Sequence, residues 1–297
     1  MILAAAALVL TLIPAQPPAR TPQTDQTETV QRGMRLTVSN FAGEVVIHTW
    51  NKDEVHVQAR HHARTRVNVR RGEGGLSISA SGSMVPASAV DYDITAPVWM
   101  PVKITGTYDF VTVDGAQNEI SAETVRGDIV IKGGSAFVTA KTVEGEVSVE
   151  GARGKINVSS VNHGIKIADT GGDITADTVN GQITMTRMAA ASVAASTVNG
   201  DISYDGTVAD GGRYELTSHN GAVTMAIPES SNATFTVRTY NGEFSTTLPV
   251  KGGDPREARR GKRVTLTLGN GSADVELESF GGTIRLRRSD SAGRKQR

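Results

Sequence analysis

The chain has 297 residues, and its 31 Lys and Arg balance 31 Asp and Glu, so no global charge directs it to nucleic acid or an anionic membrane. Aromatic residues make up only 4% while glycines number 32, a composition that suits a thin, regular β-core better than a bulky globular one. The absence of cysteine excludes disulfides, thiolate metal sites and a cysteine nucleophile.

Residues 1–15, "MILAAAALVLTLIPA", read as an export signal. The apolar run from Ile2 to Ile13 is too short for an ordinary membrane span, and Ala15 offers a small cleavage residue, although no Lys or Arg precedes the run. Residues 16–31 are rich in Pro, Thr and Gln without a hydrophobic period and read as a flexible tether. A β-repeat domain is expected over 32–288, interrupted by a loop insertion at 250–262, and 289–297 read as a disordered basic tail. No other run is apolar enough to span a bilayer, so the mature chain is expected to lie outside the membrane, in the periplasm, at the cell surface or secreted.

Within the domain the first local bias is "HVQARHHARTRVNVRR", His56 to Arg71. Val55, Val57 and Ala59 alternate inward, which leaves His56, Gln58 and Arg60 outward. Arg66, Asn68 and Arg70 do the same around Val67 and Val69. Two adjacent strands of this kind form a cationic face of His56, Arg60, Arg66 and Arg70, suited to phosphate or carboxylate on an anionic polymer. The competing explanation is a charged edge that blocks strand-to-strand aggregation.

From there on the chain repeats. Aligned glycines stand at Gly127, Gly145, Gly181, Gly200, Gly221, Gly242 and Gly282, with His163 taking the column in "SVNHGIKI" and Gly43 marking an earlier copy. The steps are 18, 18, 18, 19, 21 and 21, then 40, which reads as two periods. Each repeat holds two short runs of period two, such as Ile120 and Ala122 before the motif and Ile129 and Ile131 after it, so each supplies two half-buried strands. The expected fold is all-β, an elongated β-solenoid of two-strand coils of about 20 residues stacked in parallel. A hairpin meander is its rival, since Asn-Gly also serves hairpins.

Inward parity flips inside "TVRG", so the motif is a corner, where Gly supplies a positive φ and Asn tolerates one. Stacking places Asn162, Asn180, Asn199, Asn220 and Asn241 above one another as an amide ladder. Thr124, Thr142, Ser160, Thr178, Thr197, Ser218, Thr239 and Ser279 form a second ladder of hydroxyls. These columns read as structural rather than as a ligand-binding edge.

The stretches "MRLTVSNFAGEVVIHTWNKDEVHVQA", "DITAPVWMPVKITGTYDFVTVDG", the "TVNGDI" coils and "LGNGSADVELESFGGTIRL" together resemble a bacterial family of exported β-strand-repeat proteins, known as putative adhesins or domain of unknown function 4097. The resemblance covers nearly the whole chain beyond the tether. It implies a β-solenoid exported to the envelope or surface, with adhesion as the proposed role and no catalytic residues to carry over. Two segments depart from the pattern: "TYDFVTV" lacks the usual glycine, and "VKGGDPREARRGKR" interrupts the last coils.

Chemistry-bearing constellations are sparse. His61 and His62 are adjacent and point to opposite faces of a strand, and His163 and His219 sit at corners of different coils, so no metal site is expected. "GGDITAD", from Gly171, partly matches a calcium-binding nonapeptide but lacks its third glycine, and reads as a turn. Asp128, Glu146, Asp201 and Glu243 recur outward at whole-coil spacing, which gives no tight pair for glycan cleavage. The expectation is therefore a non-enzymatic, cofactor-free binding or scaffold protein. Its partner would be an envelope glycan, an anionic polymer or an envelope protein, and not nucleic acid. An envelope-stress sensing component acting through protein contacts, or a polysaccharide-processing β-helix enzyme, are the alternatives.

Overall fold

A computed structural model describes residues 24–82, 89–254, 257–258 and 261–289, so the expected export signal and nearly all of the basic tail lie outside the described residues. The described chain is all-β, with no α-helix. An opening strand β1 (Thr24–Thr29) is followed by β2 (Arg35–Ser39), β3 (Ala42–Trp50), β4 (Glu54–Arg60) and β5 (Thr65–Gly72). Next come β6 (Gly75–Gly82), β7 (Asp91–Pro97), β8 (Val102–Thr105) and β9 (Tyr108–Ala116). The central repeats supply β10 (Ile120–Glu123), β11 (Ile129–Gly133), β12 (Phe137–Lys141), β13 (Val147–Glu150), β14 (Lys155–Ser159) and β15 (Ile165–Ala168). They continue with β16 (Gly171–Asn180), β17 (Ile183–Asn199), β18 (Ile202–Gly206), β19 (Arg213–Asn220) and β20 (Val223–Ile227). The chain closes with β21 (Ala233–Thr239), β22 (Phe244–Thr246), β23 (Lys251–Gly252), β24 (Arg263–Leu268), β25 (Ala273–Ser279) and β26 (Ile284–Arg288).

Each repeat adds one strand to each of two sheets. In sheet A, β9, β11, β13, β15, the first part of β17, β18 and β20 pair in parallel, and in sheet B the same holds for β8, β10, β12, β14, β16, the second part of β17 and β19. Strand β17 runs through a corner and so belongs to both sheets. Registers match residue for residue: Ile129 faces Val147, Val147 faces Ile165, and Ile165 faces Ile183. From β10 to β15 the inward positions are Val, Ile and Ala, among them Ile120, Ala122, Ile129, Ile131, Val147 and Ile156, all fully buried between the sheets, while Tyr204, Tyr214 and Phe235 fill the core further along. Small branched side chains fill this narrow space, which is why so few aromatics are needed.

Both ends of the stack depart from chain order. In sheet B, β2 lies between β6 and β8, and in sheet A, β3 lies between β7 and β9. At the far end β25 lies between β19 and β21, and β26 between β20 and β22. The 40-residue step from Gly242 to Gly282 is therefore not two successive periods. The chain goes out through β21 and β22, turns back along β24, and inserts its last repeat one layer inward.

Among the described residues, antiparallel strands then close three of the four sheet ends. Strand β5 covers β6, β4 and β1 cover β7, and β24 with β23 covers β21. Two expectations are corrected here. Thr24–Thr29, read as tether, is a strand in register with β4, and Lys251–Gly252, at the start of the expected insertion loop, pairs with β24. "GGDITAD" is likewise not a turn but the first part of β16.

The corner glycines work by a different route from the one read in the sequence. Of the aligned column only Gly127, at φ 123°, has a positive φ, with Gly43 of the first repeat at 127°. What the others share is contact. A Cβ on Gly200 would lie 2.0 Å from the carbonyl oxygen of Gly181, one on Gly221 would lie 1.9 Å from that of Gly200, and one on Gly282 would lie 2.0 Å from that of Gly221. At these positions successive layers touch backbone to backbone, and only glycine leaves the room. The positive φ values collect instead at the opposite corner, in Gly115, Gly133, Gly151, Asp169 and Arg187. Of the three non-glycines there, Ala136, Asp169 and Arg187, two brace each other: Arg187 donates to Asp169 from both Nε, at 2.7 Å, and a terminal guanidinium nitrogen. That guanidinium holds the Asp169 carboxyl below the usual carboxylate range.

The steric reading has a direct test. Gly200→Ala costs about 3 kcal/mol, at the upper end for overpacking, although alanine is not branched and needs no unusual rotamer. Gly74→Ala, where an added Cβ meets nothing within 4 Å, leaves stability near the parent's. Urea unfolding of both variants checks this. Equal midpoints for Gly200→Ala and the parent would overturn the backbone-contact assignment.

Candidate functional site

The corner presents three columns. The hydroxyls of the first column are buried and do not bond to one another. They donate instead to the carbonyl one layer back: Thr142 to Gly127 at 3.1 Å, Ser160 to Gly145 at 2.9 Å, Thr178 to His163 at 2.9 Å and Thr197 to Gly181 at 3.0 Å. Ser218 reaches Gly200 at 2.8 Å, Ser279 reaches Gly221 at 2.9 Å and Thr239 reaches Gly282 at 3.2 Å. The expected hydroxyl-to-hydroxyl ladder is thus a hydroxyl-to-glycine ladder. His163 lacks the glycine but supplies the same carbonyl.

The Asn column bonds side chain to side chain over part of its length. Asn180 donates to Asn162 at 3.2 Å, Asn199 to Asn180 at 2.8 Å and Asn220 to Asn199 at 2.9 Å. Asn241 is separated from Asn220 by Gly281, because β25 is inserted between β19 and β21. The ladder therefore ends at Asn220, and Asn241 stands two layers beyond it.

The expected cationic face is divided. His56 and Arg60 lie on β4 in sheet A, whereas Arg66 and Arg70 lie on β5 in sheet B, and the two strands do not pair. Inward-outward parity is the same on both, but the segment from His61 to Arg64 carries the chain from one sheet to the other. On β4 the charge is met by β1: Asp25 accepts from His56 at 2.8 Å and from Gln58 at 3.0 Å, which holds its carboxyl below the usual range. His56 also stacks on Trp50, and Arg60 stands opposite Asp91. On β5 the alternation is as read, with Val67 and Val69 against the core and Arg66 and Arg70 exposed beside Asn68.

The outward acids after the corner tie layers together. Asp128 accepts from the Glu146 amide at 2.7 Å, Asp201 accepts from the Ala222 amide at 2.7 Å, and Glu146 pairs with Lys166 at 2.8 Å. Among the described residues no three His, Asp or Glu side chains gather as a metal would need. His219 stacks on Phe280 at 4.8 Å, and His61 bonds the Thr24 hydroxyl at 2.8 Å.

One cluster escaped the sequence reading. Asp109 occupies the glycine column in "TYDF" and is fully buried. Its carboxylate accepts from Asn40 Nδ2 at 2.6 Å and from the Thr107 amide at 3.1 Å. The same Asn40 nitrogen faces the carbonyls of Ala42 and Val90, while Asn40 Oδ1 and the buried Tyr92 hydroxyl have no partner among the described residues. Burial pushes the Asp109 carboxyl up to about 6, against the two hydrogen bonds that favour its charge. The missing glycine was the visible sign; its burial was not.

A carboxyl raised in the folded state binds its proton more tightly there than in the unfolded chain. Its stabilisation is full below about pH 4, falls as the pH rises through about 6, and is lost above that. Between these limits the parent loses on the order of 1–3 kcal/mol from this group. Asp109→Asn removes that part of the slope, and urea midpoints at pH 4, 5, 6 and 7 for both chains measure it. Parallel profiles would show that Asp109 does not titrate in this window.

No curated protein matches the chain. Among solved structures, a putative cell adhesion protein from Clostridium sporogenes aligns over 89% of this chain and 99% of its own, at 10% identity and a TM-score of 0.24. The family model described as Toastrack DUF4097 matches residues 17–287, through the first strands, the glycine-centred corners and the inserted last repeat. The chain belongs to the Toastrack DUF4097 family.

Proposed function

We propose that the chain is an exported, non-enzymatic β-solenoid that binds an extended anionic polymer of the cell envelope, in an adhesin-like role. The observation that carries this reading is one outward column of sheet B. Arg70, Ser77, Thr37, Lys103, Ser121, Thr139, Asn157 and Thr175 stand in register on eight neighbouring strands. Each is wholly or partly exposed, and each carries a hydrogen-bonding group. At about 4.8 Å per strand the column is roughly 34 Å long. A polymer lying across the strands meets a donor or acceptor at every step, with Arg66, Arg70 and Lys103 offering charge at one end.

Parallel pairing of equivalent strands, layer after layer, supports the solenoid reading, and the apolar run in residues 1–15 supports export. The engagement of Asp128, Glu146 and Asp201 between layers supports a structural rather than a catalytic role for that column. No helix among the described residues is long and apolar enough to cross a membrane.

The test is retention of the purified chain on immobilised polygalacturonate and poly(glycerol phosphate). The parent is held at low salt and released as salt rises, because exposed charges are screened. A triple variant with Arg66→Ser, Arg70→Ser and Lys103→Ser loses retention and keeps its urea midpoint. A second triple variant, with Asp128→Asn, Glu146→Gln and Asp201→Asn, binds as well as the parent or slightly better. Retention indifferent to salt, or polymer cleavage that disappears only in the carboxylate variant, would overturn the binding-module reading.

A further inference from the structure

Exposed apolar side chains are not scattered on this molecule. Among the described residues ten large hydrophobics are exposed, and eight of them lie along the Asn-Gly corner, which makes it the one apolar stripe on an otherwise polar surface. Seven form a single column: Phe41, Val125, Val143, Val161, Val179, Val198 and Phe280, each 37–46% exposed. Tyr108 stands beside Phe41 in ring contact at 5.5 Å. Thr107 fills the layer after Phe41, His219 the layer before Phe280, and Tyr240 the last, its ring 5.0 Å from that of Phe280.

Read from end to end, the column is aromatic, then aliphatic, then aromatic. A two-fold axis between Val161 and Val179 sets Val161 against Val179, Val143 against Val198 and Phe41 against Tyr240, while Val125 against His219 and Thr107 against Phe280 are the two unlike pairs. The flanking column adds no net charge in the middle, since Asn162, Asn180, Asn199 and Asn220 are neutral and Arg126 is paired with Glu144. A neutral, nearly palindromic stripe is complementary to itself. The exposed apolar residues offer on the order of 600 Å², close to the roughly 800 Å² that each partner contributes to a standard interface.

We propose that this corner is an interaction surface for a second copy of the chain, docked antiparallel about an axis between Val161 and Val179. The stripe and the outward column of sheet B are different surfaces, so self-association leaves the polymer-binding face of each copy open. The inference does not rest on that binding.

Sedimentation of the purified chain from about 1 to 100 micromolar should show a dimer, and Val143→Glu or Val198→Lys alone should weaken it at least about tenfold. Both positions are exposed, so each variant keeps the parent's urea midpoint. Mixed in equal amounts, the two variants should associate again, because the carboxylate introduced at position 143 of one copy then faces the ammonium introduced at position 198 of the other. The absence of native cysteine allows a second readout: Val161→Cys mixed with Val179→Cys should cross-link on mild oxidation faster than either variant alone. A parent that stays monomeric overturns the proposal. So does a dimer that ignores both charge variants, a mixture that does not reassociate, or cross-linking of Val161→Cys to itself in preference to Val179→Cys. A monomeric parent whose retention on a glycan column is lost with Val179→Lys would assign the stripe to a glycan instead.

Discussion

The structure depends on how closely two layers approach at one corner. There a glycine carbonyl receives a buried hydroxyl from the next layer, at 2.8–3.2 Å from Thr142 to Ser279, and the next glycine's Cα rests against the same oxygen. The two contacts need each other. A hydroxyl satisfies a carbonyl that the tight packing hides from water, and the packing is possible only because glycine has no side chain. With that distance fixed, the strands on either side fall into register, and Ile129, Val147, Ile165 and Ile183 line up in the core. Positions that face outward from the corner are released from this constraint, which is why they vary from Val to His, Phe and Tyr.

Where the constraint relaxes, other groups take over. Asp109 stands in the glycine column, and the Thr124 hydroxyl turns to the carbonyls of Arg126 and Thr107 at 3.2 and 3.4 Å instead of to Asp109. The buried carboxylate is held by Asn40, which also reaches carbonyls of two neighbouring segments. A regular hydrogen bond has been exchanged for a titratable cluster near the junction of the interleaved end with the regular stack. At the opposite corner, Asp169 and Arg187 show that a left-handed residue other than glycine can be held by an ion pair between layers.

Much of this fold is legible from residues alone. Alternation of Ile, Val and Ala gives the strands, and constant spacing gives their equivalence, because period two and a fixed step have few other physical causes. The reason for the glycines was less accessible, since positive φ and close approach select the same residue. The division of the cationic strands was hidden for a similar reason: β4 and β5 keep the same parity, and parity does not say which sheet a strand joins. Layer order at the ends is invisible to spacing, because a repeat inserted inward has the same internal pattern as one added outward. Phe280 and Tyr240 follow the aligned Ser279 and Thr239 and so share the valine column by the motif itself; what the motif does not give is their order in the stack, with Phe280 inside Tyr240.

The interleaved ends have a mechanical consequence. In a stack built in simple chain order, tension on a terminus peels the outermost strand, breaking one ladder at a time. Here the last strand, β26, has a neighbour on each side, so a pull on the C-terminus must shear two ladders together. At the other terminus β1 can peel from β4, but β2 is next and lies between β6 and β8. Load applied along the chain is therefore stopped within a strand or two of either end, and the molecule behaves as a rod with locked ferrules rather than as a thread wound on a spool.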